Sequence, residues 1–265
     1  MKKIALIAGP ILLLLIAFFV FKTIKGKDSK PILVEEEQSG FITTSIADSP
    51  FISLTPTSDG YWLNLEVLQI KDADKLEYEL LYETGDGATQ GSIGSIDLKG
   101  KTTYEKRILL GSESSGHYRY DKGVEKGEIT IRLRGGMGRR KYTTKFHLQN
   151  KDDQLSSIDE AFSLKGSIPS TNYYITMNTI GAPKSFEGEI EAVYGVFSSG
   201  SRQIKSGQLE IAKKQDQSLS LFTLDNNSWE ELESEDTDNI LSAEASSTGV
   251  FLLSESSTTE GTPHN

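Results

Sequence analysis

The sequence predicts an all-β protein, with two tandem antiparallel β-sandwich domains behind one N-terminal transmembrane helix. Three observations predict this class. First, residues 4–21 form an unbroken run of 18 uncharged, mostly apolar residues. Second, from about residue 50 apolar and polar residues alternate with a period of two, as in strands that bury one face. Third, clusters of Gly, Asp, Asn and Ser separate the short runs, as turns between antiparallel strands require.

Residues 1–23 are predicted to be the transmembrane anchor. The apolar run extends from Ile4 to Phe21, and about 18 residues is the lower end of what spans a bilayer core. A cleaved signal peptide is the alternative. It should have a shorter apolar core and a small-residue cleavage site, whereas this run ends in aromatic residues and Lys22. We therefore expect an uncleaved, single-pass signal anchor in the cell membrane.

The lysines around the anchor bear on its orientation. Lys2 and Lys3 precede the run, whereas Lys22, Lys25, Lys27 and Lys30 follow it. A literal count of these charges places the body in the cytoplasm. Against this, short basic tails before a first apolar segment usually stay inside, and the body is acidic, rich in Ser and Thr and β-patterned. We favour an N terminus inside and an extracytoplasmic body. The absence of cysteine fits either compartment.

The segment before the first domain, residues 24–49, is predicted to be a linker or stalk. It includes the acidic cluster Glu35 to Glu37 and has little apolar surface to offset the entropy of ordering. Residues 50–150 are predicted to form the first β-sandwich domain. Its expected buried positions are Tyr61, Leu63, Leu65, Val67, Tyr78, Leu80, Tyr82, Tyr104, Ile108, Leu110, Ile129, Ile131, Leu133, Tyr142, Thr144, Phe146 and Leu148.

The second half repeats the pattern after a polar break. Residues 151–165 are predicted to be an interdomain linker, residues 166–254 a second β-sandwich domain, and residues 255–265 a disordered tail. Several sets of residues are expected to be buried. Tyr173, Ile175 and Met177 form one face, and Ile190, Ala192, Tyr194 and Val196 form another. The remaining expected buried residues are Leu209, Ile211, Leu219, Leu221, Val250 and Leu252. One large continuous sandwich is the alternative to two tandem domains.

The charge balance narrows the classes of partner. The chain has 28 basic and 38 acidic residues, and residues 151–265 alone hold 7 basic and 19 acidic ones. Because phosphate binding needs clustered Lys and Arg, we predict no nucleic-acid partner. The simplest interpretation of the acidic half is solubility and self-repulsion.

Two stretches resemble known envelope proteins. The motif Trp229-x-x-Leu232, the run Ile240 to Ala243 and the run Thr248 to Leu253 resemble the closing strands of many bacterial surface β-sandwich modules. The stretch from Tyr78 to Leu133 resembles an immunoglobulin- or fibronectin type III-like domain of uncharacterised single-pass bacterial envelope proteins. Together these motifs cover about half of the chain. The resemblance implies a fold and a location and carries over no functional residue.

Motifs for chemistry are weak throughout. Gly85-Asp86-Gly87 lacks the Gly-Lys-Ser/Thr ending of a phosphate loop, so we interpret it as a hairpin turn. Asp72, Asp74 and Glu77 lack the spacing of an EF-hand calcium loop. We therefore predict no catalytic residue, no cofactor and no metal, and we expect that the protein is not an enzyme.

One basic cluster is a possible interaction patch: Arg132, Arg134, Arg139, Arg140 and Lys141. The plain interpretation is a solvated edge hairpin whose charges block edge-to-edge pairing. The alternative is that the patch docks an anionic surface, either the acidic second domain, a cell-wall polymer or lipid headgroups.

The function that these features favour is a membrane-anchored, extracytoplasmic binding or scaffolding protein of the cell envelope. Its expected partners are the membrane, through the N-terminal helix, and an envelope protein or glycan. A carbohydrate- or cell-wall-active hydrolase is one alternative, and an accessory subunit of a secretion or pilus system is another.

Overall fold

The computed structural model describes residues 40–255 apart from residues 216 and 238. The predicted anchor from Ile4 to Phe21, most of the predicted stalk and nearly all of the predicted tail lie outside the described residues. Within the described part of the chain, no helix has the length and apolar character needed to cross a membrane.

The described chain consists of β-structure with one short 3-10 helix, at Ile46–Asp48, which confirms the all-β class. The strands are β1 (Phe51–Pro56), β2 (Trp62–Leu68), β3 (Lys75–Glu83), β4 (Thr89–Asp97), β5 (Tyr104–Leu109), β6 (Gly111–Ser114), β7 (His117–Tyr120), β8 (Lys126–Gly135), β9 (Gly138–Asn150), β10 (Gln154–Ser156), β11 (Phe162–Gly166), β12 (Tyr173–Asn178), β13 (Ile190–Ser198), β14 (Gln203–Ala212), β15 (Leu219–Asp225), β16 (Ser228–Leu232), β17 (Ser234–Thr237), β18 (Ile240–Ser247) and β19 (Val250–Glu255).

The strands form one long sheet, two smaller sheets and a separate hairpin. The long sheet has nine strands in the order β16-β15-β19-β13-β12-β9-β8-β3-β4. A three-stranded sheet has the order β1-β2-β5, and a five-stranded sheet has the order β10-β11-β14-β18-β17. Strands β6 and β7 pair only with each other among the described strands. These named strands pair in the antiparallel direction, as the sequence pattern predicts.

Two of the hydrophobic cores lie on opposite faces of the long sheet. The three-stranded sheet packs on the half formed by β3, β8 and β9, where the side chains of Ile175 and Met177 from β12 join the core. The five-stranded sheet packs on the half formed by β13, β15 and β19, and Tyr174 of β12 joins that second core. Because neighbouring residues of a strand point to opposite faces, Tyr174 and Ile175 can serve both cores. Strand β12 is therefore where the second core begins. Beyond it the sheet is covered on both faces, since Val193 of β13 and Val250 and Leu252 of β19 pack in a third hydrophobic cluster.

The long sheet continues across the predicted domain boundary. Strands β9 and β12 pair directly, with Leu148 opposite Ile175. The predicted linker, residues 151–165, contains β10 and most of β11, which belong to the five-stranded sheet. The division into two tandem domains is not confirmed and stays a prediction. The last residues of the predicted stalk also contact the sheet, since Ile42 N donates to Arg139 O at 2.8 Å.

The predicted face of strand β13 is wrong at its beginning. The sequence pattern puts Ile190 on the same side as Tyr194 and Val196. In the structure the register shifts between Ile190 and Ala192, which marks a β-bulge. The extra residue turns Ile190 to the opposite face, where it packs with Val193 in a third hydrophobic cluster.

The alternation along β9 can be tested with two neighbouring residues. Phe146 is fully buried in the first core, whereas Lys145 is exposed on the opposite face. We expect Phe146→Ala to lower the free energy of unfolding by about 3–5 kcal/mol, through lost burial and a residual cavity. Lys145→Ala should change it by no more than about 0.5 kcal/mol. Urea denaturation measures both, and equal losses would contradict the assigned faces.

Candidate functional site

The structure divides the predicted basic patch between two faces of the β8–β9 hairpin. Arg132 lies opposite Lys141 and Arg134 lies opposite Arg139, so these four side chains share one face. Arg140 points to the other face and is fully buried. The surface patch therefore comprises four of the five predicted residues.

Carboxylates of strand β3 balance two charges of this patch. Arg132 Nη1 donates to Glu79 Oε2 at 3.0 Å, and Arg134 Nη2 donates to Glu77 Oε2 at 3.2 Å. The Arg139 guanidinium stacks on the ring of Phe41, 4.7 Å from its centroid. Partly exposed pairs of this kind each contribute at most about 1 kcal/mol to stability. They also lower the positive potential that an anionic partner would meet.

Arg140 stabilises the fold by contacting a turn from another part of the chain. Its Nη2 donates to the backbone oxygen of Asp72 at 2.7 Å, and its Nη1 lies 3.8 Å from Met137 Sδ. Asp72 has a positive φ of 41°, a conformation that costs energy for a residue with a side chain. Arg140 thus fastens the strained turn before β3 to the end of the β8–β9 hairpin.

A second cluster is an aromatic surface formed by Tyr61, Trp62, Tyr118, Tyr120 and Arg107. Tyr61, which the alternation predicts to be buried, is only half-buried and lies outside the hydrophobic cores of the described chain. The rings of Tyr61 and Tyr120 stack with centroids 4.4 Å apart, and those of Trp62 and Tyr118 meet edge to face at 5.4 Å. The Arg107 guanidinium lies 4.5 Å from the centroid of the Trp62 ring. Tyr118 and Tyr120 keep 48% and 38% of their surface exposed.

The backbone explains how this surface is assembled. Ser115 and Gly116 both have positive φ, 52° and 80°, as a tight two-residue turn between β6 and β7 requires. Tyr118 and Tyr120 are two residues apart on β7 and therefore point to the same side. Arg107 on β5 pairs with Asn64 on β2, which brings its guanidinium diagonally beside Trp62.

A partly buried hydrogen bond holds the end of this hairpin. Tyr82 Oη, from strand β3, donates to Asp121 Oδ2 at 2.9 Å, directly after Tyr120. Burial, and then this hydrogen bond to a carboxylate, raise the pKa of Tyr82 far above its ordinary value, so the hydroxyl remains a donor at physiological pH. The aromatic surface is thereby fixed to the first core.

A groove of about 660 Å³ lies beside the aromatic surface, and Tyr61 and Asp121 belong to its wall. Further carboxylates of its lining are Asp59, Glu125, Asp152 and Asp153. The hydrogen bond from Thr57 lowers the pKa of Asp59, which therefore stays ionised. The groove is thus an acceptor-rich surface suited to cationic groups.

The remaining sequence candidates form no centre in the described residues. Gly85-Asp86-Gly87 makes the turn between β3 and β4, closed by Thr84 N donating to Ala88 O, which confirms a hairpin turn. Within residues 40–255, apart from 216 and 238, no group of three or more His, Asp or Glu is arranged to hold a metal ion.

One signal in the sequence points to the aromatic surface. The run His117-Tyr118-Arg119-Tyr120 places aromatic residues in alternation, but with charged or polar residues around them and no aliphatic neighbours. The same alternation predicts a buried face elsewhere in the chain, so tyrosine alone does not distinguish the two cases. The stacking with Tyr61 depends on contacts between distant parts of the chain.

The chain was compared with models of known protein families and with curated proteins, and neither comparison gives a match.

The adjacent residues Arg139 and Arg140 allow a direct test of the divided patch. We expect Arg140→Ala to lower the free energy of unfolding by about 2–4 kcal/mol, because it leaves a cavity and an unpaired carbonyl at Asp72. Arg139→Ala removes only a surface cation–π contact and should cost at most about 1 kcal/mol. Chemical denaturation of the two variants checks this, and similar costs would show that Arg140 is a surface residue.

Proposed function

We propose that this chain is a membrane-anchored binding or scaffolding protein of the cell envelope, and that its β-sheet body binds another protein through the aromatic surface. The observation that carries this proposal is the exposure of Tyr118 and Tyr120 beside Trp62 and Arg107. Trp, Tyr and Arg are the residues that contribute most binding energy at protein interfaces.

Folding alone does not account for these exposed rings. The residues Tyr61, Trp62, Tyr118 and Tyr120 belong to none of the three hydrophobic clusters of the described chain. A hairpin with strands as short as β6 and β7 is marginal by itself in water. The stacking on Tyr61 and the Tyr82–Asp121 hydrogen bond nevertheless hold it in place. A rigid, exposed aromatic cluster loses little entropy on binding, which favours a contact role.

The charges around the aromatic surface favour a partner with a basic rim. The groove beside it has several carboxylates, and the whole chain has a net charge of −10. Complementary charges at the edge of an interface raise the rate of association and the specificity more than the affinity. The partner class we infer is therefore a protein that presents an apolar or aromatic patch bordered by Lys or Arg.

The hydrolase alternative has weaker support from the groove. A general acid needs a carboxyl group whose pKa is raised toward neutrality. Asp59 has its pKa moved in the opposite direction by the hydrogen bond from Thr57. The groove carboxylates instead favour the recognition of cationic groups.

A photoreactive residue at the centre of the aromatic surface tests the proposed partner class. With p-benzoyl-phenylalanine in place of Tyr118, we expect irradiation of the native cells to yield a covalent adduct in which mass spectrometry finds peptides of a second protein. Adding Trp62→Ala should reduce its yield about tenfold, which corresponds to about 1.4 kcal/mol of binding energy.

The matched control has the photoreactive residue at Thr143, an exposed position on β9 away from the aromatic surface. That variant should give no such adduct. Equal adducts at both positions would contradict the proposed surface. An adduct at position 118 that contains no peptides of a second protein and loses its added mass after treatment with wall-degrading enzymes would replace the protein partner by a glycan.

The proposed orientation has its own test. Protease treatment of intact cells should release a fragment that contains the β-sheet body, because cleavage occurs in the predicted stalk between residues 24 and 49. Immunoblotting of cells and supernatant with an antibody against the body measures the release. Full protection in intact cells, with cleavage only after lysis, would place the body inside.

A further inference from the structure

Strand β4 forms an open edge of the long sheet. It is the last strand in the order, and no described strand pairs with its outer side. Its nine residues, from Thr89 to Asp97, include a single charged side chain, Asp97 at the end. Ile93, at its centre, has 79% of its surface exposed. A long uncharged edge with an exposed aliphatic residue is a ready template for pairing with another strand.

The other outer strands of the three larger sheets are protected against such pairing. Strands β16 and β17 are short and acidic, with Glu230, Glu231, Glu235 and Asp236. Strand β10 has three residues, and β5 has the charged run Glu105-Lys106-Arg107. Strand β1 hydrogen-bonds elsewhere, since Ile52 N donates to Thr179 O at 3.0 Å. The contrast indicates that the edge of β4 is available for a strand of a partner.

The pairing with β3 shows which backbone groups of β4 face outward. Thr84 N donates to Ala88 O before β4, and Leu98 N donates to Asp74 O after it. Hydrogen-bonded and non-hydrogen-bonded pairs alternate in an antiparallel ladder. Even-numbered residues of β4 therefore bond to β3. The residues whose N–H and C=O groups point away from the sheet are Thr89, Gly91, Ile93, Ser95 and Asp97.

The sequence of these five outward residues fits a second copy of the same strand that runs in the opposite direction. With a two-fold axis at Ile93, Ile93 of one copy opposes Ile93 of the other, and Gly91 opposes Ser95. Thr89 then opposes Asp97, so no two like charges face each other. Each outward residue would donate one backbone hydrogen bond and accept one. The isoleucine pair is an apolar cross-strand contact at the centre.

Leu81 adds to the apolar surface beside Ile93. It lies opposite Gly91 on β3 and is 39% exposed. Its Cδ2 lies only 2.8 Å from the position that a Cβ of Gly91 would take, so it already covers Gly91 on the face that Ile93 shares. In the paired arrangement each Leu81 lies diagonally beside Ile93 of its own chain and extends the apolar surface on that side of the contact.

We propose that β4 pairs antiparallel with β4 of a second copy of this chain, with the two-fold axis at Ile93, so that the long sheet continues across the dimer. The partner strand comes from a second copy because, in this register, two identical strands satisfy each other's backbone hydrogen bonds. An isologous two-fold interface requires this self-complementarity. This inference rests on the edge of the sheet and is independent of the aromatic surface.

The absence of cysteine from the chain allows a precise test of the register. In the full-length chain in mild detergent, Ile93→Cys should oxidise to a covalent dimer. The two Cα atoms of such a pair lie about 5.5 Å apart, within the range of a disulfide. Ser95→Cys should not link to itself, because its copies are four residues out of register and about 13 Å apart. Thr89→Cys mixed with Asp97→Cys should form the mixed dimer.

Sedimentation equilibrium of the cysteine-free chain, with the detergent density-matched, measures the association itself. We expect a dimer, and Ile93→Lys should raise its dissociation constant at least about tenfold by opposing two charges. Ile240→Lys and Ile240→Cys are matched controls at an exposed isoleucine of the other sheet, and both should behave as the parent does. Because Ile93 is exposed, its substitution should leave the hydrophobic core intact. Thermal unfolding of the variants checks this.

Three results would overturn the proposal. The first is a monomer at micromolar concentrations, and the second is no more crosslinking of Ile93→Cys than of Ile240→Cys. The third is self-linking of Ser95→Cys as efficient as that of Ile93→Cys, which would place the axis elsewhere.

Discussion

The direct pairing of β9 with β12 is the constraint on which the rest of the structure depends. It joins the two halves of the chain into one hydrogen-bonded ladder, with Leu148 opposite Ile175. A one-residue slip in this pairing would move every side chain of the strand to the opposite face of the sheet. The burial of both faces therefore fixes the register of the pairing. Four central residues of β12, from Tyr174 to Met177, are buried in consequence, since each face of this strand belongs to a different core.

The covering of the β3, β8 and β9 half on one face only explains the distribution of charge there. On the half that the three-stranded sheet covers, the opposite face of β3, β8 and β9 is available to charged residues. The carboxylates of Glu77 and Glu79 meet guanidinium groups of β8 there. Pairing across neighbouring strands lets the sheet keep a polar face at little cost. The same alternation turns Arg140 inward, where a backbone carbonyl satisfies one of its nitrogens.

The two proposed contact surfaces have different physical characters. The aromatic surface is a rigid cluster of rings held by Tyr82 and Asp121, and it offers side chains to a partner. The edge of β4 offers backbone groups in a register that fits a second copy. A dimer formed through β4 would present two aromatic surfaces at once. Two linked sites raise the apparent affinity for a clustered partner without any new contact, which suits a scaffold.

Local patterns in the chain were sufficient to predict the strands and most of the buried residues. Leu63, Leu65 and Val67 are buried as their alternation indicates, because the period of two is a property of the strand itself. The bulge at Ile190, the burial of Arg140 and the aromatic surface were beyond such patterns. Each depends on contacts between distant segments, such as Arg140 with Asp72 or Tyr61 with Tyr120. Alternation assigns a side chain to one of two faces, but the packing of whole sheets establishes which face becomes a core and which meets water.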